Sequence, residues 1–153
     1  MLETLTRRSG QLLKLLHEKG KPTSMYTLHM KQDVLAKELS VSRQALNVHL
    51  RKLRNMGYIR TGRGFIDVTE MGLSILGFSA SPAFILMKIS PVKRIQVYRR
   101  IKELAVQRVF RIAGDVDGLL IVEREKLDEI LKKLYSIDGI QDTRSYVTIE
   151  TVK

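Results

Sequence analysis

The sequence predicts an α+β chain in two parts. Three observations carry this. Two short apolar helical patterns, parted by the turn Ser40-Val41-Ser42, occupy residues 31–56. A glycine-flanked hairpin, YIRTGRGFIDV, follows at 58–68. From residue 83 the order strand, helix, strand occurs twice. The parts are expected at 1–78 and 79–153, joined through Gly77 and the segment SASP at 79–82.

The 153 residues suffice for two small domains, and 44% apolar content is ordinary for a folded chain. There is no cysteine, so neither disulfides nor a thiolate metal site can form. The N-terminus MLETLTRRSG lacks the apolar core of a signal peptide, and no apolar run reaches membrane-spanning length. A cytoplasmic protein is the expectation.

The net charge is +11. Residues 1–80 hold 13 Lys and Arg against 6 Asp and Glu; residues 81–153 hold 14 against 10. No acid occurs between Glu38 and Asp67, where Arg43, Arg51, Lys52, Arg54, Arg60 and Arg63 stand. A positive field concentrated on one segment favours a polyanion.

Taking the elements in order, residues 4–18 set Leu5, Leu12, Leu13 and Leu16 on one face of a helix. GKPTS at 20–24 breaks it, and MYTLHM at 25–30 is a short strand. A second helix starts near Lys31 with Val34, Leu35 and Leu39 inward, and Ser40 ends it. Ser42 is an N-cap for a third helix, its hydroxyl suited to an orphan N–H. Leu46, His49, Leu50 and Leu53 share one face of that helix, and Arg43, Gln44, Asn47, Val48 and Arg51 the other. Arginine pairs well with guanine, and Gln or Asn with adenine, in the major groove. In the hairpin, strands at 58–60 and 65–68 flank the turn 61–64, offering Arg60 and Arg63 to a phosphate backbone or minor groove. Thr69 caps a short helix running to Leu76.

The stretch LAKELSVSRQALNVHLRKLRNMGYI resembles the helix-turn-helix of winged-helix transcription factors, nearest the cyclic-AMP-receptor type with its Ser-Arg-(Gln/Glu) start. The resemblance implies that Arg43, Gln44 and Asn47 meet bases, that Ser42 meets phosphate, and that Leu46 and Leu50 are core. His49 stands where an aliphatic residue is usual and is expected to be packed and hydrogen-bonded.

In the second part, strands are expected at 83–89, 107–112, 119–123 and 144–152. Helices fall at 92–104, with Val97, Tyr98, Ile101 and Leu104 on one face, and at 126–135, with Leu127, Ile130, Leu131 and Leu134 inward. This is a ferredoxin-like βαββαβ plan, of the ACT-like kind. The first and third strands are apolar on both faces, while helices cover only one, so a homodimer joined sheet to sheet is expected.

VFRIAGDVDGLLIV, followed by SIDGIQDTRSYVTIE, resembles the effector domain of the leucine-responsive regulator (Lrp/AsnC) family, named for regulation of amino-acid metabolism. Its Gly-(Asp/Glu)-(aromatic)-Asp-(aliphatic) loop falls on Gly114, Asp115, Val116, Asp117 and Gly118, with Val116 and Gly118 departing from the usual types. The resemblance implies an amino-acid effector near Gly114, Asp115 and Asp117, and further assembly of dimers. The alternative is a tight turn whose aspartates bond their own backbone. Arg111 and Arg144 are candidate anchors for a ligand carboxylate.

No catalytic residue, metal site or cofactor is expected. The three histidines, His17, His29 and His49, lie in the first part and not at metal-ligand spacing. The function expected is a sequence-specific DNA-binding transcription regulator, dimeric on inverted repeats and modulated by a small molecule. Two alternatives remain open: an enzyme like the sirohaem decarboxylases, which share the plan, or an architectural or adaptor protein binding nucleic acid.

Overall fold

The computed structural model describes residues 5–78 and 81–152. The linker residues Ser79 and Ala80, and residue 4 of the first expected helix, lie outside the described residues.

Helix α1 spans Arg7–Lys19, with the Thr6 hydroxyl accepting from the Ser9 amide at 3.3 Å. Its leucines do share a face, but none of its residues is buried. Strand β1 (Tyr26–Leu28) precedes α2 (Gln32–Glu38), in which Ala36 is the buried residue. Val34 and Leu39, expected inward, are exposed; a seven-residue helix turns only a narrow face to the core, and Ala36 holds it. Ser40 ends this helix at φ 53, the left-handed conformation that closes a C-terminal turn.

Helix α3 (Arg43–Asn55) starts where Ser42 was expected to cap it, the hydroxyl accepting from the Ala45 amide at 3.1 Å. Leu46 is buried and Leu50 half-buried, but Leu53 and His49 are exposed, so His49 is not a packed core histidine. Strands β2 (Ile59–Gly62) and β3 (Phe65–Val68) form the hairpin. The turn is shorter than expected: β2 runs on to Gly62, which pairs with Phe65, leaving Arg63-Gly64 as the tip. Gly64 sits at φ 83, where a side chain would be strained. β1 completes a three-stranded sheet in the order β1-β3-β2. Helix α4 (Glu70–Ile75) is capped by the Thr69 hydroxyl, which accepts from the Gly72 amide and donates to the Gly57 carbonyl at 2.6 Å.

The second half is β4 (Ala83–Ile89), α5 (Arg94–Ile101), β5 (Arg108–Arg111), β6 (Gly118–Val122), α6 (Leu127–Tyr135) and β7 (Ile140–Val147). A 3₁₀ turn precedes each helix, at Pro91–Lys93 and at Arg124–Lys126. The sheet order is β5-β6-β4-β7, antiparallel throughout, as the ferredoxin-like plan requires. Helix α5 stops at Ile101, three residues short of the expected end. The last strand is displaced: it begins at Ile140, opposite Ile89, and ends at Val147, opposite Ala83. Its bounds follow those of β4; beyond them the Thr148 hydroxyl still donates to the Pro82 carbonyl, but the alternating tail at 148–152 forms no strand.

One face of this sheet is closed by the two helices. Ile85, Met87, Leu120 and Val122 alternate onto it and meet Val97, Ile101, Ile130 and Leu134, all with no accessible surface. The opposite face carries Phe84, Leu86, Leu119 and Ile121, half-buried, with Phe110 and Tyr146 more exposed beside them. Among the described residues no helix covers this apolar face, and Phe84 and Ile121 border a cleft walled on its other side by residues 23–25.

Candidate nucleic-acid interface and ligand recess

The exposed side of α3 is built from its first three turns. Arg43, Gln44, Asn47, Val48 and Arg51 all project from it, and Ser42 stands at its N-terminus. Each is exposed, as are Arg60 and Arg63. Burial of Leu46 on the other side fixes the rotation of the helix, so this polar face points outward by default. The Ser42 cap and the positive end of the helix dipole favour an anion there. Val48, 63% exposed, is an apolar group on an otherwise polar face, of the kind that meets a thymine methyl.

Two details refine the face. Arg43 is held by Asp33 of α2, its Nη1 donating at 2.5 Å, so an acid that precedes the acid-free segment folds back onto it. This pair is well exposed and therefore weak, and a phosphate or base could displace it. At the other end of α3, Arg54 donates to the Thr61 hydroxyl at 3.4 Å and ties the helix to the hairpin.

Arg60 and Arg63 are placed differently. Arg60 lies 3.6 Å from the buried Asp67 carboxylate, which also accepts from the Thr27 hydroxyl at 2.6 Å. Its guanidinium belongs partly to the hairpin's own framework. Arg63 sits alone at the tip between two glycines and has no such partner among the described residues.

The C-terminal loop separates the two aspartates that the sequence put together. The Asp117 carboxylate accepts from the Ile89 amide at 2.8 Å and from Arg94 Nη2 at 3.3 Å. Its carbonyl accepts from the Tyr98 hydroxyl at 2.6 Å. Asp117 thus bonds backbone, though that of β4 rather than its own. Burial, then the Asp117 charge, pushes the Tyr98 phenol up from its ordinary value. Asp115 is exposed and does not line the recess formed here. That recess, about 420 Å³, is lined by Arg94, Arg111, Ile112, Ala113, Gly114 and Asp117. Arg94 Nε is buried there with no hydrogen-bond partner. The sequence pointed to Arg111 and missed Arg94; Arg144 faces Asp142 at 3.6 Å, away from the recess lining. Gly118, replacing the usual aliphatic residue, leaves room for Met87, whose methyl a side chain at 118 would overlap.

A third feature joins the two halves. The Tyr26 hydroxyl donates to Glu123 Oε1 at 2.5 Å and accepts from Gln107 Nε2 at 3.0 Å. Burial and this carboxylate raise the Tyr26 phenol above its ordinary value. Lys126 lies 3.2 Å from the other Glu123 oxygen.

The geometry agrees with relationships to known proteins. Residues 6–72 match the family described as Crp-like helix-turn-helix domain, and residues 82–153 the Lrp/AsnC ligand binding domain. The chain joins a Crp-like helix-turn-helix domain to an Lrp/AsnC ligand binding domain, the make-up of a DNA-binding transcription regulator. It is 24% identical over 156 residues to the HTH-type transcriptional regulator FL11 of Pyrococcus abyssi, spanning 99% of this chain and 92% of that protein. An uncharacterized HTH-type transcriptional regulator of Pyrococcus furiosus is 28% identical over 125 residues, with 78% and 79% covered. E. coli AsnC shares the fold at a TM-score of 0.54 and 20% identity, over 98% of this chain and 95% of that one. So does a Neisseria meningitidis transcriptional regulator solved with L-Met, at 0.54 and 20%, over 98% and 93%. Among the described residues, no helix is long and apolar enough to cross a membrane.

Proposed function

We propose that this regulator acts as a homodimer that reads inverted-repeat sites in double-stranded DNA. The observation that carries the reading is the outward face of α3, where Arg, Gln, Asn and an exposed valine stand together without an acid of their own helix. Ser42, Arg43, Gln44, Asn47, Val48 and Arg51 form the base- and phosphate-reading surface. Arg60 and Arg63 bring the hairpin to the adjacent backbone. The reading unit is residues 1–78, and residues 79–153 form the pairing and effector unit. The uncovered face around Phe84, Leu86, Leu119 and Ile121 takes the same face of a second copy. Two reading helices related by that two-fold axis favour half-sites about one helical turn apart, roughly 34–36 Å, or a multiple of it. The role is binding rather than catalysis. A DNA partner, which the helix-turn-helix match supports, favours a cytoplasmic location.

The recess beside Gly114 and Asp117 is where an effector would sit. Arg94 and Arg111 supply two guanidinium groups, which suit a carboxylate or a phosphate through paired hydrogen bonds. An amino acid satisfies that chemistry, and the fold neighbour solved with L-Met supports the class.

Selection from a random duplex library, with and without an amino-acid mixture, tests both statements. An inverted repeat that shifts in affinity with the mixture is the expected outcome. Recovery of no motif would refute sequence-specific reading, and a motif indifferent to the mixture would remove the effector role.

A further inference from the structure

Helix α1 is amphipathic, and among the described residues nothing buries its apolar side. Leu12, Leu13, Leu15 and Leu16 are 56%, 60%, 46% and 61% exposed. An isolated helix of this length is marginal in water, so its stability must come from burying that face.

The path of the chain indicates where. The connector 20–25 forms neither helix nor strand, leaves α1 with Gly20 extended (ψ 140), and contains Pro22. Its last residues, Thr23 to Met25, wall a cleft together with Phe84 and Ile121 of the uncovered sheet face and with Gln107 of the β5 side. Tyr26 is moored there by Glu123. Helix α1 therefore departs beside the face on which a second copy is proposed to sit. A six-residue extended connector reaches about 20 Å, enough to carry the helix across to that copy.

The chain also carries a matching surface. Leu39, Leu53, Met56, Met71 and Ile75 are exposed on the helix-turn-helix half. Met71 Sδ lies 3.6 Å from where a Cβ of Gly57 would stand, so the end of α3 and the start of α4 share one patch. Glu38 and Glu70, on α2 and α4, form no ion pair among the described residues. Helix α1 brings Arg7, Arg8, Lys14 and Lys19 against a single Glu18.

We propose that the leucine face of α1 is covered by a second copy of this chain, in the patch formed by its α3 and α4. The proposal rests on the sheet-to-sheet dimer and adds a contact that ties the two reading halves to each other.

Hydrogen–deuterium exchange of the full chain tests it, with the mass in solution measured alongside. In the wild-type dimer, peptides covering Arg7–Lys19 should exchange at least tenfold more slowly than in a monomer made by Phe84→Arg with Leu119→Arg. Protection retained in that monomer would mean α1 covers its own chain and would overturn the proposal. A wild-type dimer with freely exchanging α1 would overturn it and leave the sheet contact standing; a wild-type monomer would overturn both. Leu12→Asp with Leu16→Asp, which leaves the sheet intact, should raise the dimer dissociation constant at least tenfold, and an unchanged constant would also overturn it.

Discussion

The two halves of this chain are held together in different ways. The C-terminal half encloses a core of eleven buried apolar residues between a sheet and two helices. Among the described residues, the N-terminal half buries four apolar side chains, Ala36, Leu46, Ile59 and Ile66, with Asp67 also buried. It relies instead on local devices: the Ser42 and Thr69 caps, the Thr27–Asp67 bond and the Arg54–Thr61 bond. The difference teaches that a reading head need not be a self-sufficient globule. On the proposed function it needs one correctly rotated helix and an attached hairpin, and it would draw the rest of its stability from a second copy and from DNA.

The sharpest way to break this comparison is at the sheet face. Phe84→Arg with Leu119→Arg places two charges where a partner's apolar face should lie, at a cost of about 4 kcal/mol or more, roughly a thousandfold in the dimer constant. Sedimentation should show a monomer at micromolar concentration; a persistent dimer would place the interface elsewhere. Next in size, Leu120→Ala should lower the C-terminal stability by about 2–5 kcal/mol. Denaturation followed by exchange should show this loss in β4 and β6. Leu46→Ala should instead loosen α3 while leaving the sheet unchanged, and equal loss in both halves would mean that they fold as one unit.

The junction between the halves gives the smallest effect. Tyr26→Phe removes the hydrogen bonds to Glu123 and from Gln107 and should cost about 0.5–1.5 kcal/mol for each in the docking of the halves. Burial, then the bond to Glu123, raises the Tyr26 phenol, so the neutral form is favoured on folding and this contribution is fully present below the ordinary tyrosine value of about 10. That contribution is lost as pH rises through the raised value. Wild type should therefore loosen at this junction in alkali, whereas Tyr26→Phe should show no such step; identical alkaline profiles would count against the bond.

What the sequence disclosed follows the range of the interactions involved. Helix α3 and its Ser42 cap were legible because a cap and an amphipathic period act within a few residues. The βαββαβ order was legible for the same reason. The ends of β7 were not, because they are set by β4, more than fifty residues away, and an alternating tail looks like a strand whether or not a neighbour exists. Arg94 escaped notice because it meets Asp117 across 23 positions, and Asp33 because it meets Arg43 from the preceding helix. The leucine face of α1 was plain in the sequence, but what covers it was not, because that depends on a surface far from it along the chain or on another chain.

The division of labour between α3 and the hairpin can be tested most directly by anisotropy titration over a salt series. Wild type, Gln44→Ala, Asn47→Ala and Arg63→Ala would be compared on a selected inverted repeat and on a scrambled duplex. Gln44→Ala and Asn47→Ala should each lose discrimination at particular bases, by about 1–3 kcal/mol. Arg63→Ala should weaken binding to both duplexes equally and lessen the salt slope by about 1. If Arg63→Ala changed base preference while Gln44→Ala and Asn47→Ala did not, the hairpin and not α3 would be the reader.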